Sequence, residues 1–83
     1  MRVLYFAWVR ERIGKAEEMI DFPPEVVTLA DAVAWLSKKD ETYAHAFGDL
    51  RVIRAAINQQ MVELDTPIGD AREIAFFPPV TGG

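Results

Sequence analysis

The hydrophobic pattern of the chain changes from a strand-like period to a helical period and back again. Residues 2–7 include β-branched and aromatic residues at half of their positions and are predicted to form a strand. One helical turn is predicted over 8–13, and Gly14 is expected to end it. A weaker strand is predicted over 16–22, and Pro23 and Pro24 directly after it interrupt the pattern. The two strands are expected to pair as a hairpin.

A longer helix is predicted to begin after Thr28, whose hydroxyl can cap the backbone N–H groups of the first turn. Asp31 lies three residues further on, where it can reach back to the cap or face the positive end of the helix dipole. Four apolar residues at helical spacing form the predicted buried stripe: Leu29, Ala32, Val33 and Leu36. The segment 41–49 is expected to be a loop or a short second helix.

Three more strands are predicted over 52–57, 61–63 and 73–77, with turn residues between them. The element order is then β, β, α, β, β, β, with a right-handed crossover that packs the helix on one face of a mixed sheet. The last strand is expected beside the first, so that the tail leaves from the edge of the sheet. This α+β arrangement is a β-grasp, or ubiquitin-like, fold over residues 1–77, followed by a flexible extended tail over 78–83.

The predicted strands place large apolar side chains on the face opposite the helix. By alternation, Phe6 and Phe77 lie on this open face, and Met61 is expected near them. Large apolar groups on an open sheet face usually mark a partner-binding site. If the alternation is off by one residue, the same side chains belong to the core instead.

The composition restricts the chemistry that the chain can perform by itself. A formal net charge of −4 without a basic stripe argues against a nucleic-acid partner. The sequence has no cysteine and a single histidine, His45, so a metal site or an internal nucleophile is not expected. Glu17 and Glu18 are expected to be solvated. No membrane span or signal peptide is visible, and we expect a cytoplasmic location.

The C-terminal tail is the most informative segment of the sequence. It consists of Pro78, Pro79, Val80, Thr81, Gly82 and Gly83. Without a Cβ, the two final glycines form the thinnest backbone that can carry a C-terminal carboxylate into a narrow active site. The prolines stiffen the exit and lower the entropy lost on insertion, and six extended residues reach about 20 Å. The alternative is an ordinary frayed terminus.

This tail, with the Phe76-Phe77 pair before it, resembles the C-terminal signature of the MoaD family, the small subunit of molybdopterin synthase. Weaker similarity lies in Val9-Arg10-Glu11 and in Ala56-Ile57-Asn58-Gln59. The segment 69–72 departs from the shorter turn that is common in the family, which changes a turn and leaves the tail chemistry intact. The resemblance covers the whole chain.

The resemblance implies a sulfur carrier in molybdenum cofactor biosynthesis. A MoeB-like, E1-type enzyme adenylates the carboxylate of Gly83 with ATP, and a sulfur donor protein converts the acyl-adenylate into a thiocarboxylate. The tail then enters a MoaE-like large subunit, in a heterotetramer, and supplies sulfur to cyclic pyranopterin monophosphate. On this hypothesis Gly83 and Gly82 form the reactive end, no cofactor is bound permanently, and the partners contribute the catalytic groups.

The partner interface is expected to combine the open face with the tail: Phe6, Met61, Phe77, Pro78, Pro79, Val80 and Thr81. Three other functions stay open at this point. A ThiS-type carrier for thiazole synthesis shares the terminal glycines, and a ubiquitin-like modifier is conjugated to lysines through them. A plain binding module uses no tail chemistry. The Phe-Phe-Pro-Pro sequence favours the MoaD family.

Overall fold

The structure is a computed structural model, and it describes residues 1–79 of the chain. The strands are β1 (Arg2–Tyr5), β2 (Glu17–Met19), β3 (Arg54–Ile57), β4 (Gln60–Val62) and β5 (Glu73–Phe77). The helices are α1 (Ala7–Ile13), α2 (Leu29–Lys39) and α3 (Glu41–Ala46), and a 3-10 turn covers Leu50–Val52. The predicted α+β fold is confirmed. No helix of the described part is long and apolar enough to cross a membrane.

The five strands form one mixed sheet in the order β2-β1-β5-β3-β4. β1 and β5 are parallel, whereas β2 is antiparallel to β1 and β3 is antiparallel to both β4 and β5. The prediction that the last strand lies beside the first is confirmed. The expected departure from an edge of the sheet is wrong, because β3 covers the other side of β5. The chain leaves the sheet from the end of its central strand.

The sequence signals at the start of α2 act as predicted. The backbone N–H of Asp31 donates to Oγ1 of Thr28 over 3.1 Å, and the backbone N–H of Thr28 donates back to Oδ2 of Asp31 over 3.0 Å. This reciprocal capping box satisfies two N–H groups that a helix end otherwise leaves unpaired. The predicted stripe is buried in full, so the helix packs its apolar face on the sheet.

The remaining elements differ from prediction at their boundaries. α1 is a full helix that starts one residue earlier than the predicted turn, and it ends at Gly14 with a φ of 87°. β3 starts later than the predicted residue 52, because the side chain of Asp49 accepts the N–H of Arg51 and initiates the 3-10 turn instead. The segment 41–49 contains α3, and β2 is limited to three residues.

A single carboxylate connects β2 to the helical side of the sheet. Glu18 accepts hydrogen bonds from the hydroxyls of Tyr5 and Tyr43 and from Nζ of Lys15. Burial by itself raises the pKa of Glu18, but the hydrogen bonds from Tyr43, Tyr5 and Lys15 outweigh it and hold the pKa below its usual value. The prediction of a solvated Glu18 is therefore wrong, while Glu17 beside it is exposed.

Candidate functional site

The helices cover one face of the sheet and leave the other face open. Five strand residues with an exposed fraction of 1% or less define the covered face: Val3, Tyr5, Ala55, Ile74 and Phe76. Side chains alternate between the two faces along a strand. Alternation therefore places Leu4, Ala75 and Phe77 on the open face.

A row of apolar residues crosses the open face from strand to strand. Leu4 lies beside Ala75, Ala75 lies opposite Ala56, and Ala56 lies opposite Met61. Met61 is 64% exposed at the end of this row, whereas the two alanines are small and lie low between their neighbours. The row is a shallow apolar surface, and the predicted position of Met61 on the open face is confirmed.

A second row lies next to the first, at the end of the sheet from which the chain departs. The backbone N–H of Phe6 donates to the carbonyl of Phe76 over 3.1 Å, which aligns Phe6 with Phe77. Phe6 is 47% exposed and Phe77 is half-buried, so neither side chain belongs to the core. Phe77 in turn lies opposite Arg54 on β3. Phe6, Phe77 and Met61 therefore share one surface, which we call the open-face patch.

The 3-10 turn adds exposed apolar side chains that the sequence analysis missed. Leu50 is 43% exposed and Val52 is 39% exposed. Leu50 lines a groove together with Arg54 and Met61, so this turn borders the open-face patch. The missed signal was a pair of apolar residues on both sides of Arg51, directly after a capping aspartate. The turn was not predicted because Val52 was assigned to the strand expected over 52–57.

Charged side chains lie at both ends of the open face. The guanidinium of Arg54, a residue paired with Phe77 across β3 and β5, donates to the carbonyls of Arg51 and Ile53. At the far end of the open face, Arg2 forms ion pairs of 2.6 Å with Glu17 and 3.3 Å with Glu73. An apolar centre with a charged rim is the usual composition of a protein interface.

The predicted site residues of the tail are described only in part. Pro78 and Pro79 follow Phe77 directly, outside the strand, and both are half-buried. The predictions for Val80, Thr81, Gly82 and Gly83 lie outside the described residues. Within 1–79, no three His, Cys, Asp or Glu side chains are grouped closely enough to bind a metal ion. The exposed Phe6 and Met61 of the open-face patch are suited to recognition of a partner near the point where the tail begins.

Known proteins resemble this chain over its full length. The ThiS family model matches residues 3–83. The molybdopterin synthase sulfur carrier subunit of Escherichia coli K12 is 40% identical over 85 residues, which cover 100% of this chain and 99% of that protein. The subunit of the same name from Haemophilus influenzae is 36% identical over 83 residues, with coverage of 100% and 99%.

Solved structures agree with the fold described above. SAMP1 from Haloferax volcanii superposes with a TM-score of 0.73 at 27% identity, covering 100% of this chain and 98% of that one. A Pyrococcus furiosus structure gives a TM-score of 0.71 at 28% identity, with 95% of both chains covered. The resemblance first seen in the tail thus extends from one end of the sequence to the other, and this chain belongs to the ThiS family.

Proposed function

We propose that this chain is the sulfur-carrier small subunit of a molybdopterin synthase. The observation that carries the proposal is that the sequence Pro-Pro-Val-Thr-Gly-Gly directly follows β5, the central strand, whose last residue, Phe77, belongs to the exposed open-face patch. The full-length relatives that bear this name support it. The described residues offer a docking surface, and the tail offers a carboxylate that can be delivered to a partner.

The proposed chemistry takes place at the C-terminal carboxylate of Gly83. A carboxylate is a poor electrophile, so it first attacks the α-phosphorus of ATP on a MoeB-like adenylating enzyme and releases pyrophosphate. Sulfur at the oxidation level of sulfide, delivered by a sulfur donor protein, then attacks the acyl carbon and expels AMP. The product is a thiocarboxylate on Gly83. Because the reaction consumes ATP, we propose that it takes place in the cytoplasm.

The second partner is the large subunit of the synthase. We propose that it contacts the open-face patch through an apolar surface and receives the tail, with Gly82 and Gly83 innermost. There the thiocarboxylate transfers its sulfur to cyclic pyranopterin monophosphate, and catalytic groups of the large subunit carry out the transfer. Two carriers and two large subunits would form the heterotetramer that the resemblance to the MoaD family implies.

Mass spectrometry of the protein treated with adenylating enzyme, ATP and a sulfur donor tests this function. We expect the chain to gain the mass difference between one sulfur and one oxygen, located in the terminal fragment and absent without ATP. Since the chain has no cysteine, a persulfide cannot imitate the change. Oxidation of Met1, Met19 or Met61 gives nearly the same nominal shift, so the terminal fragment must be analysed separately.

A variant that lacks Gly83 is the matched control for this experiment. It should retain its melting temperature and lose the mass change, because the core of the described residues extends only to Phe76. An unchanged terminal fragment in the complete protein, with added mass only on methionine, would contradict the proposal. So would full complementation of a cofactor-deficient strain by the shortened chain.

Two alternative functions use the same terminal glycines. A ThiS-type carrier would form the same thiocarboxylate but would co-purify with a thiazole-forming enzyme instead of a synthase large subunit. A ubiquitin-like modifier would appear in cell extracts as isopeptide-linked adducts on lysines. The names of the full-length relatives favour the molybdopterin pathway over both.

A further inference from the structure

β5 lies between β1 and β3, and its backbone groups form hydrogen bonds with these two strands alternately. Successive residues of a strand direct their N–H and C=O groups to alternate sides. The carbonyls of Arg72 and Phe76 accept from the β1 side, from Arg2 over 3.2 Å and from Phe6 over 3.1 Å. The carbonyl of Glu73 accepts from Asn58 over 2.9 Å, on the β3 side. The backbone N–H and C=O groups of even-numbered residues of β5 therefore point to β1, and those of odd-numbered residues point to β3.

On the β1 side, the next hydrogen bond of the parallel ladder would run from the N–H of residue 78 to the carbonyl of Phe6. Residue 78 is a proline and has no N–H. The carbonyl of Phe6 instead accepts the N–H of Arg10 over 3.3 Å, which is the first hydrogen bond of α1. Ala7, with a φ of 53°, turns the chain away from β5 at this point. Because Pro78 has no N–H to donate, the carbonyl of Phe6 remains available to accept the first hydrogen bond of α1.

On the β3 side, the next N–H would come from residue 79. Since Phe77 lies opposite Arg54, the continued antiparallel register places Pro79 opposite Val52. Residue 79 is again a proline and again has no N–H. Val52 belongs to the 3-10 turn, and its own N–H donates to the carbonyl of Asp49 over 3.2 Å. The second ladder therefore ends at the same level as the first.

We propose that Pro78 and Pro79 together form a two-sided stop, in which each proline removes the donor that would continue one of the two ladders of β5. A single proline blocks one side only, because the next residue faces the other neighbour. A tail that leaves from a central strand therefore needs two adjacent prolines to stay out of the sheet. Both are positioning residues, and their consequence for the tail rests on the function proposed above.

Amide hydrogen exchange tests the stop directly, because each substitution creates the N–H that reports on it. In Pro78→Ala we expect the new amide at position 78 to exchange roughly fivefold more slowly than in a free peptide, as one net hydrogen bond provides. The amide of Arg10 should lose protection at the same time. In Pro79→Ala the new amide at position 79 should be slowed similarly. New amides that exchange at free-peptide rates in both variants would overturn the inference.

Lactic acid in place of Pro78 separates the missing donor from the stiffness of the ring. It carries the same methyl group as alanine and has an ester oxygen instead of the N–H, so it removes the ring without adding a donor. We expect Pro78→Ala to raise the KM for adenylation roughly fivefold at unchanged kcat, since the adenylating enzyme must first release a hydrogen-bonded tail. The lactic acid variant should show a clearly smaller rise than the alanine variant, and a remote control, Pro24→Ala, should keep the original KM.

An equal rise of KM in the alanine and lactic acid variants would assign the effect to ring stiffness and overturn the inference. A native chain that is never adenylated would overturn the proposed function instead. The exchange comparison decides the inference in that case too, because it requires no enzyme.

Discussion

Glu18 is the carboxylate on which two tyrosine hydroxyls and one lysine converge, with a side chain that is only 15% exposed. Its pKa in the folded protein lies below its ordinary value of 4.5. A carboxyl group whose pKa is lowered by folding contributes its full stabilisation when the pH is above the pKa that the same group has in the unfolded chain. The stabilisation is lost as the pH falls through the folded pKa. Glu18 therefore adds to acid sensitivity below about pH 4.5.

Substitution of this carboxylate by an amide tests its contribution. We expect Glu18→Gln to lower the free energy of unfolding at pH 7 by about 1–3 kcal/mol, because hydrogen bonds to a charged acceptor are exchanged for neutral ones. The difference from the native protein should shrink as the pH falls below about 4.5. Glu17→Gln is the matched control and should have a smaller effect, since Glu17 is exposed. A difference that is independent of pH would contradict this account.

At the scale of elements, the junction between β1 and α1 depends on an unfavourable backbone conformation. Ala7 has a φ of 53°, a region that costs a residue with a Cβ about 1–2 kcal/mol. Its side chain is exposed, so a replacement disturbs no packing. We expect Ala7→Gly to raise the free energy of unfolding by about 0.5–1 kcal/mol, the relief of strain less the entropy that glycine gains in the unfolded chain.

Ala34, on the exposed side of α2, provides the control for this change. The same substitution there should destabilise the protein by about 1 kcal/mol, since glycine is a poor residue in the interior of a helix. Denaturant unfolding of both variants measures the two values. A loss of stability in Ala7→Gly equal to that in Ala34→Gly would mean that the junction carries no strain.

How well an element could be predicted depended on how local its determinants are. The cap and the stripe of α2 depend only on residues of the helix and its N-cap, and the sequence predicted them correctly. β5 was predicted with its observed bounds, because prolines and a turn delimit it. The start of β3 was wrong because Asp49 caps a turn over residues that have strand propensity. The central place of β5 was missed because it depends on pairing with both β1 and β3, which lie far away in sequence.

In the candidate site, too, features set by local sequence were predicted and features set by contacts between distant segments were not. Alternation within single strands correctly placed Phe6 and Phe77 on the open face. The contributions of Leu50 and Arg54 arise where the 3-10 turn meets β4, and no local pattern shows such a meeting. Glu18 was misjudged for a similar reason, since its tyrosine partners come from β1 and α3.

At the scale of the whole molecule, the open-face patch should control assembly and hardly affect folding. We expect Phe6→Asp or Phe77→Asp to weaken binding of the large subunit by about 2–4 kcal/mol, in the range of central interface residues. The free protein should lose much less stability, because neither side chain is fully buried. Calorimetric titration and thermal unfolding provide the two measurements.

Val27→Asp is the control, since Val27 is 54% exposed and lies outside the sheet. It introduces the same charge and should leave binding intact. Unfolding of either phenylalanine variant would show that the side chain belongs to the core.

The place of β5 between β1 and β3 also determines how the domain resists force. A pull on the chain beyond Phe77 that is directed along the axis of β5 acts on its pairing with both neighbours. The hydrogen bonds to both neighbours cross that axis, so they are loaded in shear and must fail together. Had the tail continued from an edge strand, a sideways pull could peel that strand away one bond at a time. A carrier built in this way can be pulled by its reactive end while its sheet stays intact.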